Sequence, residues 1–154
     1  IAYQMESHFN LYFTIWYGVF QVSSGKLHYV AAGHPPALML QNQSGNITEL
    51  GVPNPAVGWM PEMMYESAST KIPEAQVSIY LLSDGVYEVE DEKGEIWSLK
   101  ELSQYLIMHQ PANTAEMEEL YRYLQERGQS KKLADDFSLL RIQFDITRGT
   151  KDDQ

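Results

Sequence analysis

The sequence predicts an α+β layered domain. Three observations carry that reading. Short β-forming runs separated by turn residues fill the first half, two segments with helical apolar spacing follow, and one more strand-like run comes last. There is no strand–helix alternation of the Rossmann kind and no GxGxxG or Walker A sequence.

Residues 11–22 (LYFTIWYGVFQV) are largely apolar on both alternating faces, the pattern of a strand buried on two sides. Ser23-Ser24-Gly25 turns the chain, and Lys26 to Ala32 returns as the second strand of a hairpin. Gly33-His34-Pro35-Pro36 interrupts it, because proline cannot donate to a ladder and drives the residue before it toward extended geometry. A third strand is expected over Ala37 to Gln41 and a short fourth over Ile47 to Leu50. Residues 51–66 hold Pro53, Pro55, Gly58 and Pro61 and read as an irregular loop. Its Val57, Trp59, Met60, Met63 and Met64 predict that it packs on the body. Strands around Ala68 to Ile72 and Val77 to Leu82 complete a meander.

Two helices come next. Ser98 followed by Glu101 has capping-box spacing, and Leu99, Leu102 and Leu106 repeat on one face. The second helix starts near Asn113 or Thr114, carries Met117, Leu120, Tyr121 and Leu124, and stops at Gly128. Lys131-Lys132 then leads to Asp135-Asp136 and a last strand over Phe137 to Phe144. The polar end of the chain reads as a frayed tail.

At 154 residues the chain has the size of one domain, and its 44% hydrophobic content is that of an ordinary globular protein. No apolar run approaches the ~20 residues a membrane-spanning helix needs. Cysteine is absent, which excludes disulfides, thiolate chemistry and Cys-ligated zinc, and fits a cytoplasmic protein. A net charge of −10 with scattered basic residues argues against nucleic acid as a partner.

Asp84 and Asp135 are the residues most suited to chemistry. The apolar run Val77 to Leu82 presents Asp84 at the end of a buried strand, with Gly85 turning the chain at once. Asp135 and Asp136 stand at the entry to the last strand. Carboxylates fixed by strand ends suit a hard divalent cation, which prefers oxygen ligands, and a cation would relieve the repulsion of two adjacent carboxylates. Each piece also has a plain reading: Asp84-Gly85 as a turn, Asp135-Asp136 as a solvated pair. His34, a candidate acid, base or ligand, reads rather as a hydrogen-bonder that fixes its loop; Glu88 reads as facing water or supporting a metal's ligands, and the run Glu88, Glu90, Asp91, Glu92 as a solvated turn. Tyr12, Phe13, Trp16, Tyr17 and Phe20 are expected in the core. Nothing resembles a Ser-His-Asp order or an HExxH helix.

Taken in order, YFTIWYGVF, SGKLHYVAAGHPPALML, LGVPNPAVG, IYLLSDGVYEVEDEKGE and ADDFSLLRI resemble the SpoIIE-like branch of the PPM-type, metal-dependent protein serine/threonine phosphatases. The resemblance runs from about Leu11 to Phe144. It implies an α-β-β-α sandwich with a site for two Mn²⁺ or Mg²⁺ ions at one edge of the paired sheets. Carried over, Asp84 and Asp135 are the metal ligands, with Gly85 and Asp136 supporting them from behind. The implied reaction is direct hydrolysis of a phosphoserine or phosphothreonine by a metal-activated water. The implied substrate is a phosphorylated anti-anti-sigma protein of the STAS type, acting in a partner-switching pathway.

One departure matters. The GDVxGHG-like segment that supplies the bridging Asp of this family is absent, so residues 1–147 are expected to be a partial phosphatase domain without its N-terminal part, and 148–154 a polar tail. An upstream regulatory or sensor domain is expected in the parent chain, and these residues alone are expected to be weak or inactive. The segment with Ala56-Val57-Gly58 also differs from the PLG-like form usual there. The alternative is a non-catalytic interaction module of the same fold that binds a STAS-type partner.

Overall fold

The structure is a computed structural model and describes residues 11–73, 75–109, 114–128 and 135–145. The expected tail over 148–154, the Lys131-Lys132 lead-in and Asn113 lie outside those residues. Among the described residues, seven strands and two α-helices follow one another: β1 (Ile15–Gln21), β2 (Lys26–Ala32), β3 (Ala37–Gln41), β4 (Asn46–Leu50), β5 (Ala68–Lys71), β6 (Gln76–Leu82), α1 (Leu99–His109), α2 (Thr114–Arg127) and β7 (Leu139–Asp145).

The strands divide between two antiparallel sheets, ordered β1-β2-β5 and β4-β3-β6-β7. The first half is therefore no simple meander. β2 leaves its hairpin with β1 to take β5 as its other neighbour, while β3 takes β6. Residues alternate between two cores accordingly. From β3 and β6, Leu38, Leu40, Tyr80 and Leu82 face the helices, where they pack with Leu102, Leu106, Leu120 and Leu124. Ala37, Met39, Val77 and Ile79 face the other way and meet Leu27 and Tyr29 of β2 between the sheets. The described layers are thus a helix pair, a four-stranded sheet and a three-stranded sheet. No helix among the described residues is long and apolar enough to cross a membrane.

Local signals explain the helices. The capping box at α1 forms as spaced: Ser98 N–H and hydroxyl both donate to Glu101 Oε2, at 2.8 and 2.9 Å, and Glu101 N–H returns a bond to Ser98 Oγ. At the end of α2, Gly128 N–H closes on Leu124 O. Leu102, Leu106, Leu120 and Leu124 are fully buried, each worth roughly 1.5–3 kcal/mol relative to exposure.

Two expectations fail. β1 is not buried on both faces: Tyr17 and Val19 are 57% and 48% exposed, and Tyr12 and Phe13 beside it are exposed too. Trp16 and Phe20 do join the inter-sheet core, but no described element covers the opposite face of the three-stranded sheet. The loop over 51–66 packs less than its composition predicts. Ala56 is buried, and Val57 pairs with Phe13 through two backbone bonds, while Trp59, Met60 and Met64 stay exposed.

Candidate functional site

One end of the sheets gathers the loops that carry polar side chains. In β3, Ala37 stands opposite Leu50 of β4 and Leu38 opposite Tyr80 of β6. In β7, Leu139 stands opposite Leu82. The turn Gly33–Pro36, the loop after Leu50, the turn after Leu82 and the segment before Leu139 therefore share an end. Asp84 and Asp135-Asp136 are brought to it by neighbouring strands.

The β6–β7 ladder continues past its last paired strand residues. Ser83 N–H donates to Ser138 O at 2.9 Å, Ser138 N–H donates to Ser83 Oγ at 3.0 Å, and the Ser83 hydroxyl donates to Asp136 O at 2.7 Å. Beyond Ser83 the chain tightens into a single 3₁₀ turn over Asp84–Val86, with Tyr87 and Glu88 N–H both closing on Asp84 O. Gly85 then lies against the backbone of Asp135 and Asp136. A Cβ there would stand 2.6 Å from Asp136 O and 3.2 Å from the Asp135 carbonyl carbon. Only a residue without a side chain lets the two loops meet this closely.

The carboxylates are held in similar ways. Asp84 Oδ1 accepts from Gly85 N–H at 3.0 Å, and Asp135 Oδ1 accepts from Asp136 N–H at 2.7 Å. Among the described residues, neither second oxygen has a hydrogen-bond partner. Asp84, Asp135 and Asp136 are all exposed, as is Glu88. Burial pushes the Tyr87 phenol above its ordinary range, and the nearby Glu88 and Asp84 charges push the same way, so it stays a neutral phenol beside the acidic turn. No group of three or more His, Asp and Glu residues close enough to hold a metal ion is formed among the described residues.

His34 behaves as a loop-fixing residue. Its Nδ1 lies 2.8 Å from Pro35 O. Gly33 before it has φ of 63°, and a Cβ there would meet Ala56 at 2.8 Å. The acidic run after Glu88 is more than a solvated turn. Asp91 Oδ1 accepts from Lys93 and Glu95 N–H, and its other oxygen stands 3.6 Å from Arg127 of α2. The two backbone bonds first, and then Arg127, hold its carboxyl below the usual range.

Sequence reasoning missed Ser83 and Asn54. Ser83 is the residue that ties the two Asp-bearing loops, and nothing in its spacing announces a partner 53 positions away. Asn54 donates to Ala31 O and Glu66 O and accepts from Glu66 N–H, all at 2.9 Å, while Gly33 N–H donates to Asn54 O. Its place amid three prolines was the available signal.

Comparison with known proteins supplies the wider frame. The chain is 32% identical over 104 residues to Protein IcfG of Synechocystis, an alignment covering 68% of this chain and 16% of that protein. Its fold matches the SiaA-PP2C domain of Pseudomonas aeruginosa with a TM-score of 0.65 at 19% identity, covering 79% of this chain and 48% of that one. It matches the phosphatase domain of SpoIIE from Bacillus subtilis with a TM-score of 0.61 at 14% identity, covering 86% and 58%. The chain thus spans about half the length of these solved domains and a smaller part of IcfG. The sequence model of stage II sporulation protein E matches residues 2–145, which takes in every strand and helix described above as well as both Asp-bearing loops. The chain belongs to the stage II sporulation protein E (SpoIIE) family.

Proposed function

We propose that this chain forms part of the catalytic domain of a metal-dependent protein serine/threonine phosphatase, with Asp84 and Asp135 as metal ligands. One observation carries the reading: the Asp84 turn and the Asp135-Asp136 segment are joined at one end of the sheets by the Ser83 hydroxyl and by the close backbone approach of Gly85. The donor set fits a hard divalent ion. Mg²⁺ and Mn²⁺ take carboxylate oxygens, and Mg²⁺ is commonly held by one or two carboxylates together with waters and substrate phosphate. Two carboxylates are a partial shell, and the remaining ligands come from water and from other parts of the domain. Among relatives of the same fold, one SpoIIE phosphatase domain was presoaked with Mn and RsbX was solved in complex with magnesium.

Each residue has a task in this reading. Asp84 and Asp135 hold one oxygen against a backbone N–H and aim the other at the ion. Gly85 lets the loops close, and Asp136 adds negative charge behind them. When bound, the divalent ions supply an acidified water and neutralise charge on the phosphoryl oxygens. The substrate is a phosphorylated STAS-type anti-anti-sigma protein of a cytoplasmic partner-switching pathway, and an upstream sensor domain sets when it is processed.

The test is Mn²⁺-dependent release of phosphate from a phosphoserine STAS protein by the protein carrying this chain, beside Asp84→Asn and Asp135→Asn. Metal-dependent release that falls by orders of magnitude in both variants supports the reading. Binding of the phosphoprotein without release sinks it in favour of an interaction module.

A further inference from the structure

A cavity of about 400 Å³ opens beside the Gly33–Pro36 turn, lined by His34, Pro36, Glu49, Gly51, Val52, Pro53 and Asn54. Its chemistry is one-sided. Pro36 and Pro53 carry no N–H. The Asn54 side chain is spent on three bonds to Ala31 and Glu66. Because the Pro35 carbonyl can only accept, the His34 bond to it places a proton on Nδ1 and engages that nitrogen within the loop. Glu49 adds a carboxylate from β4. The charged lining side chain left to meet a ligand is therefore the Glu49 carboxylate, between apolar proline and valine walls. A carboxylate among such walls favours a cationic donor with an apolar stem. A lysine or arginine side chain has that form.

Position narrows the ligand further. The cavity sits where β3 begins and β4 ends, at the sheet end that also carries Asp84 after β6. With strands ~4.8 Å apart, β4 lies two spacings from β6, roughly 10–15 Å from the turn once loop reach is added. An extended peptide rises ~3.3 Å per residue, so that distance is about three or four residues.

We propose that this cavity is a subsite for a lysine or arginine of the phosphoprotein substrate, three or four residues from the phosphoserine, its charge held by Glu49 and its stem by Pro36, Val52 and Pro53. The inference rests on the phosphatase reading for its substrate, and the site gives that reading a sequence preference.

The test uses short fluorescent phosphoserine peptides with arginine, alanine or glutamate at the third and fourth positions on both sides of the phosphoserine. Anisotropy measures their binding to the protein carrying this chain, without metal. Phosphate release is followed separately with Mn²⁺. Wild type should bind the arginine peptide about fivefold tighter than the alanine one, the upper range for a partly exposed ion pair. Glu49→Gln should remove that preference, and Glu49→Lys should turn it toward the glutamate peptide. An arginine preference that survives Glu49→Lys, or none in wild type, overturns the subsite. Arginine-selective binding without phosphate release leaves the cation site standing and overturns the hydrolase reading. Release without selectivity does the reverse.

Discussion

Gly85 and Asp136 touch through their backbones, so closely that a single added methyl group on Gly85 would stand 2.6 Å from the Asp136 carbonyl oxygen. That oxygen is also the acceptor of the Ser83 hydroxyl. The approach of the two Asp-bearing loops is therefore fixed twice, once by what is absent at residue 85 and once by what is present at residue 83.

Gly85→Ala should separate the loops. Overpacking against backbone, which cannot rotate away, costs about 1–3 kcal/mol. We expect a lowered denaturation midpoint and, if the proposed phosphatase function holds, a loss of activity in the protein carrying this chain larger than that stability loss explains. Unchanged Mn²⁺ affinity and activity in the variant would refute the contact's role.

Ser83→Ala removes the acceptor of Ser138 N–H and the donor to Asp136 O. Two hydrogen bonds at a partly exposed site amount to roughly 1–2 kcal/mol. Amide exchange should quicken at Ser138 while remaining unchanged at Tyr80 in the middle of β6. Equal protection at both would show that the ladder end does not depend on Ser83.

The α1 capping box should make stability depend on pH. Its hydrogen bonds from Ser98 hold the Glu101 carboxyl below its ordinary value of 4.5. A depressed folded-state value means the unfolded chain binds the proton first, so the contribution is complete above about that pH and is lost as pH falls through the lower folded value. The stability gap between wild type and Glu101→Gln should be present at neutral pH and close in strong acid. Denaturant titrations at both pH values measure it, and a gap constant with pH would contradict the box.

Asn54→Ala should loosen the loop over 51–66 from the end of β2. Three side-chain bonds at about 1 kcal/mol each put the cost near 2–3 kcal/mol. Proteolysis near Glu66 should accelerate. Resistance equal to wild type would show that the backbone bonds, Phe13 with Val57 and Gly33 N–H to Asn54 O, suffice to anchor the loop.

How much of this was legible depends on the distance over which each feature is decided. The Ser23–Gly25 hairpin, the Ser98–Glu101 box and the stop at Gly128 are set by residues within a few positions, and all three form as the spacing predicts. Asp84 and Asp135 were visible as strand-end carboxylates, and their loops meet. The division into two sheets was carried by the family resemblance and not by the local pattern, because the choice of β5 by β2 and of β6 by β3 depends on packing between distant residues. The same holds for Tyr17 and Val19, whose apolar character says they favour burial but not whether anything covers them. Ser83 looked ordinary because its partners, Asp136 and Ser138, are remote in sequence.

The pairing of β6 with β7 also has a kinetic consequence. Both helices lie in the segment between these strands, so the ladder that unites Ser83 with Ser138 closes a loop spanning 55 positions. Long-range closures pay their entropy before any contact rewards them, so this one should come late, after α1 and α2 have seated on β3 and β6. The carboxylates would then be the last part of the chain to assemble and the first to come apart. A divalent ion held there would act as a clasp: it would slow unfolding while leaving the folding rate nearly untouched.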